Sequence, residues 1–121
     1  MLVRSLSECA EFIAGDGSLL HELLHPDKMD AEIRYSLAHA AVAPGEATRP
    51  HRLAGSEVYY VIAGCGRMFI GDESHVVAAG CAVYIPPGAT QFIENTGTED
   101  LVFLCIVDPA WQEQDEEIVA D

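Results

Sequence analysis

His51, Glu57, Tyr59 and Gln91 are the residues whose types and spacing could do chemistry in this chain. In an extended strand, residues two apart share a face, and His51, Glu57 and Tyr59 have the same parity. Some irregularity is expected at Ala54-Gly55-Ser56, yet His51 and Glu57 can still point the same way. Glu57 opens the run EVYYVIA, so its neighbours are apolar. A carboxylate in such surroundings must find a partner, coordinate a metal or take up a proton. A nearby imidazole offers either partnership, and a metal site built on His plus carboxylate usually recruits at least one further ligand. Gln91 could add its carbonyl oxygen, which brings no charge and is a weak ligand. Glu57 or Tyr59 could serve proton transfer beside such a site.

These side chains need strands to hold them. Residues 57–63 combine Val, Tyr and Ile and form the strongest β segment. Further strands are expected over 18–25, 33–43, 67–70, 74–77, 81–85, 90–94 and 101–107. Gly71-Asp72-Glu73 marks a hairpin, Gly64-Cys65-Gly66 a break, and Pro44-Gly45, Pro86-Pro87-Gly88 and Asn95-Thr96-Gly97-Thr98 mark turns. Residues 3–14 predict a short amphipathic helix, capped by Ser5 or Ser7, or an extended lead-in ending at Gly15-Asp16-Gly17. From Asp108 onward the chain carries Glu113, Asp115, Glu116, Glu117 and Asp121, which reads as a solvated tail or short helix with Trp111 pinned to the body. Short strands punctuated by Gly and Pro predict an all-β sandwich or barrel.

Two segments then resemble the cupin motifs. The first has the pattern G-x5-H-x-H-x3-E-x6-G, on which Gly45, His51, Glu57 and Gly64 fall. The second is G-x5-P-x-G-x2-H-x3-N, on which Gly80, Pro86, Gly88 and Asn95 fall. The resemblance implies a double-stranded β-helix (jelly roll) in one domain over 1–121, with a core barrel at about 17–109 and an acidic tail at 110–121. It also implies a metal held by two histidines and the glutamate of the first motif and the histidine of the second. Here the second histidine is Leu53 and the last is Gln91, so His51 and Glu57 remain as the typical ligands.

Three readings stay open. His51, Glu57 and Gln91 could hold a divalent metal (Zn, Mn, Fe or Ni) with open positions for catalysis. A histidine from elsewhere, His21, His25 or His39, could complete the set. Or the pocket is metal-free, and His51 hydrogen-bonds Glu57 or a ligand. The simplest roles for the other histidines are structural: His25 bonding a loop carbonyl, His39 satisfied in a strand, His75 exposed. Arg49 and Arg52 could neutralise an anionic substrate or simply carry surface charge. The family includes isomerases, epimerases, decarboxylases, dioxygenases and lyases, and the residues do not choose among them or against a non-catalytic binding module.

Composition narrows the partners. The 121 residues hold 6 Lys+Arg against 20 Asp+Glu, a net charge of −14. Nucleic acid and anionic membrane both need a basic face, and none exists. No apolar run approaches a membrane span or a signal peptide. Four cysteines without a C-x-x-C pair read as free thiols in a reducing cytoplasm. The expected partners are a small-molecule ligand or substrate and a second copy of the chain, because small cupins commonly dimerise and open sheet edges need cover.

Overall fold

Strict alternation builds the central strand: Leu101, Phe103, Cys105 and Val107 are buried, while Val102, Leu104 and Ile106 face the other way, half-buried. The same period of two recurs over residues 56–62 and 91–95 of the computed structural model, which describes residues 1–119. Among those residues the strands are β1 (Glu11–Ile13), β2 (Leu19–Leu24), β3 (Ser36–Val42), β4 (His51–Leu53), β5 (Ser56–Ala63) and β6 (Cys65–Ile70). They continue with β7 (Glu73–Ala78), β8 (Ala82–Ile85), β9 (Gln91–Asn95), β10 (Leu101–Asp108) and β11 (Glu116–Ile118). One antiparallel sheet runs β1-β2-β3-β10-β5-β8 and the other β11-β4-β9-β6-β7. This is the expected all-β jelly roll.

The core lies between the sheets and joins Val61, Met68, Ile85, Ile93, Leu101 and Phe103, each at most 2% exposed. Tyr59 and Phe103 pack ring against ring at 4.4 Å. The outward parity is equally clear: Tyr60, Ile62 and Tyr84 are exposed on β5 and β8. Among the described residues, no helix is long and apolar enough to cross a membrane.

At the N-terminal end the extended alternative holds, and the C-terminal end departs from expectation. The lead-in is not an amphipathic helix: it holds a single 3-10 turn at Leu6–Glu8, and Ser5 makes no side-chain capping bond there. Its remainder is extended and closes as β1 on β2, with Phe12 opposite Leu20. The acidic tail is not simply solvated. A 3-10 turn at Glu113–Asp115 leads into β11, which pairs with β4 so that Glu116 stands opposite Leu53 and Ile118 opposite His51. Backbone pairing with the edge of β4 outweighs the tail's high charge. Ala120 and Asp121 lie outside the described residues. The expected break at Gly64-Cys65-Gly66 narrows to Gly64, since β6 begins at Cys65.

Two glycines, Gly64 of the first motif and Gly66 just beyond it, sit where the backbone leaves no room for a side chain. Gly64 turns the chain at φ +83°, where L side chains are strained, and a Cβ there would sit 2.5 Å from the Asp100 carbonyl oxygen. At Gly66 an added Cβ would collide with the Glu94 carbonyl and lie 2.8 Å from Leu101 Cδ2. Gly66→Ala is therefore expected to destabilise the fold by about 2–4 kcal/mol. A urea titration checks this; an unchanged midpoint would show that β9 and β10 can yield at no cost.

Candidate functional site

Glu57 and Tyr59 rise from β5 in one sheet, and His51 and Gln91 face them from β4 and β9 in the other. His51 and Gln91 are direct cross-strand partners, so their side chains share a face. All four are buried: Gln91 is 0% exposed, His51 and Tyr59 2%, and Glu57 6%. The sheets meet through hydrogen bonds across the interior. The Tyr59 hydroxyl donates to Gln91 Oε1 at 3.1 Å, and Gln91 Nε2 donates to Glu57 Oε1 at 2.9 Å. Both ends of the Gln91 amide are thus engaged by protein groups.

Beside this chain of bonds lies a cavity of about 150 Å³. Phe12, Ile13, Leu53 and Trp111 contribute apolar wall, and Asp16, Glu22, Glu57 and Glu116 contribute carboxyls. His51 Nδ1 lies 2.9 Å from the Arg49 carbonyl oxygen, an acceptor. The neutral ring therefore protonates Nδ1 and keeps its lone pair on Nε2. That nitrogen makes no hydrogen bond among the described residues; Asp16 Oδ2 is 3.9 Å away. Asp16 is held by its other oxygen, which accepts from the Ser18 amide at 3.0 Å and the Ser18 hydroxyl at 2.7 Å. Glu116 reaches the same place from β11, with its Oε2 3.5 Å from where a Cβ on Gly15 would stand.

Burial dominates the titration of these groups. It pushes the Glu57 carboxyl up to about 8, against the stabilising bond from Gln91 and with Asp16 and Glu116 adding to the rise. The Tyr59 phenol is driven well above its ordinary value by burial and then by Glu57. Burial also raises Glu116, with Asp16 adding to the rise and His51 and a hydrogen bond from the Trp111 indole opposing it. Tyr59, with its proton given to Gln91, is poorly placed to exchange protons with a ligand.

The divalent-metal set His51, Glu57 and Gln91 is brought together, but its donors do not fit a metal as arranged. The Gln91 carbonyl accepts from Tyr59, Leu53 has no donor, and among the described residues no three His, Cys, Asp or Glu converge as a ligand group. None of the other histidines fills the gap. His21 and His39 pair with each other on the outer face of β2 and β3, their rings 5.9 Å apart. His25 Nε2 lies 2.7 Å from the Trp111 carbonyl oxygen and its Nδ1 accepts from the Asp27 amide, the loop-bonding role. His75 is exposed. Arg52 points away from the cavity and meets Glu117 at 3.4 Å. Sequence reasoning missed Asp16 and Glu116. Glu116 is one of a run of acids that the register with β4 alone sorts into inward and outward, and Asp16 sits in a turn whose approach to His51 no local pattern reveals.

A group with a raised folded-state pKa contributes stability that is complete below its unfolded value and lost as pH rises through the folded one. For Glu57 that window runs from about 4.5 to about 8. Wild type is expected to lose roughly 3–5 kcal/mol of unfolding free energy across it relative to Glu57→Gln. Parallel urea-stability profiles for the two proteins would contradict the burial of an uncompensated carboxyl.

Comparisons with known proteins agree with this architecture. A family model described as Cupin domain matches residues 38–107. The chain is 38% identical over 109 residues to an uncharacterized protein, MJ1618, of Methanocaldococcus jannaschii, covering 89% of this chain and 86% of that one. It is 30% identical over 114 residues to the oxalate-binding protein of Thermotoga maritima, with 88% and 93% covered. Among solved structures, that of a predicted oxalate decarboxylase from Thermotoga maritima superposes with a TM-score of 0.78 at 25% identity, covering 89% of this chain and 99% of the other. A family match over more than half of the chain, and relatives alike along nearly all of it, lead to one assignment: this chain belongs to the cupin family.

Proposed function

We propose that this cupin binds a small organic molecule directly on its own side chains, in the cavity beside Gln91, without a divalent metal. The observation that carries this reading is the double engagement of Gln91 while His51 Nε2 and the second Glu57 oxygen stay unbonded among the described residues. Those two atoms are left for a ligand. The Thermotoga maritima relative is named for binding oxalate, so a small-molecule role has a precedent among similar chains. Glu57, protonated near neutrality, can donate a hydrogen bond there as well as accept one.

One observation favours a second reading, a metal-dependent isomerase, lyase or dioxygenase with His51, Glu57 and Gln91 as ligands and Glu57 or Tyr59 in proton transfer. His51 gives its Nδ1–H to a backbone carbonyl, as metal-bound histidines usually do. When bound, a metal would supply Lewis acidity. Elemental analysis of protein purified without a metal column separates the two readings. Far less than one metal per chain is expected, before and after metal add-back and dialysis. About one per chain, lost in His51→Ala, would replace the first reading by the second.

We also infer a homodimer, in keeping with the open edges of β1 and β8 and the exposed apolar row of Tyr60, Ile62 and Tyr84. Light scattering coupled to size exclusion should give twice the 13.1 kDa chain mass. A monomer mass at micromolar concentration would overturn it. The free state of all four cysteines suits the cytoplasm.

A further inference from the structure

The cavity wall is rich in acceptors and poor in donors. Asp16 Oδ2, His51 Nε2 and Glu116 come from three separate parts of the chain, the turn after β1, β4 and β11. His51 is 98% buried by area, and its unbonded Nε2 belongs to the cavity wall. Several donors nearby are engaged: the Ser18 hydroxyl gives its proton to Asp16, the Tyr59 hydroxyl to Gln91, the Trp111 indole bonds Glu116, and Lys28 lies 2.6 Å from Glu22; the Ser36 hydroxyl and protonated Glu57 are the neutral donors that remain in the lining. No arginine lines the cavity. Lys28 offsets Glu22, while Asp16 and Glu116 have no lysine or arginine beside them there.

Spacing bears on what such a wall would take. Neighbouring ligand atoms around a compact divalent ion stand about 3.0–3.4 Å apart, given bonds of about 2.1 Å. His51 Nε2 and Asp16 Oδ2 are 3.9 Å apart. An ammonium, with three N–H donors and N···O contacts of about 2.8 Å, spans acceptors at wider separations. The remaining wall is apolar and partly aromatic, through Phe12, Leu53 and Trp111. A cavity of about 150 Å³ accommodates a body the size of benzene.

We propose that the cavity selects small organic cations, taking a primary ammonium between Asp16, His51 and Glu116 with its apolar body against Phe12, Leu53 and Trp111. This rests on the direct-binding reading above and adds the charge of the ligand to it. Leu53 and Glu116 are the key exchange: the position that holds a histidine in the motif is apolar here, and the strand laid beside it supplies a carboxyl.

The test compares three matched probes, cyclopentylammonium, cyclopentanecarboxylate and cyclopentanol, by thermal shift and calorimetry on the full chain in the presence of EDTA. Cyclopentylammonium alone is expected to raise Tm saturably. Asp16→Asn keeps an oxygen for Ser18 and should weaken that binding about tenfold or more, the effect of losing a charge-assisted hydrogen bond. Glu116→Gln, on an edge strand, should do the same and keeps the test decisive if Asp16→Asn loosens its turn. The inference is overturned if cyclopentylammonium gives no saturable shift, or if both variants are folded and bind it as wild type does. Equal or stronger binding of the carboxylate or the alcohol also overturns it, yet leaves direct binding standing. A shift seen only with added zinc or manganese chloride, in the absence of EDTA, removes both readings.

Discussion

The hydrogen bonds that run from Tyr59 through Gln91 to Glu57 set the geometry of everything around them. With the Asn95 amide, which donates to the Val42 carbonyl oxygen at 2.8 Å, they are the buried polar contacts between two sheets joined mainly by apolar packing. A buried carboxyl and a buried amide are costly to leave unsatisfied, so this register of β9 against β5 is enforced by more than shape. On one side the interior closes into a packed core around Val61, Ile93 and Phe103. On the other it opens into the cavity, and His51 stands at that boundary.

The consequence is a division of labour along the chain. The middle, from β3 to β10, supplies the frame and the groups at its floor. The two ends supply the rest of the wall: the β1–β2 hairpin brings Phe12 and Asp16, and the segment after β10 brings Trp111 and Glu116. Trp111 is fastened from both sides, its amide donating to the Ser36 hydroxyl and its carbonyl lying 2.7 Å from His25 Nε2. His25, buried in a loop and outside the cavity, thus fixes a residue that lines it.

The frame was legible in the sequence because its signals are local. Glycines at turns, the continuous apolar run of residues 101–107 and the shared parity of His51, Glu57 and Tyr59 each follow from a few consecutive residues. The outward direction of Tyr60 follows from the same rule. The complete site was not legible, for a physical reason. Asp16 and Glu116 lie a hundred positions apart and meet only because terminal strands add to opposite sheets. A run of acids such as Glu113 to Glu117 gives no sign which one turns inward; that is decided by the register with β4, which sets Glu116 against Leu53 and turns Glu117 out to Arg52. Composition likewise pointed to a solvated tail, since it counts charges without their pairing.

Trp111 carries one more implication. It is the chain's single tryptophan, and it forms part of the cavity wall. Indole emission responds to the polarity and packing around the ring, so the ultraviolet fluorescence of the unlabelled protein reports on the cavity and on little else. The fold has placed its one strong natural fluorophore where an arriving molecule would change its surroundings.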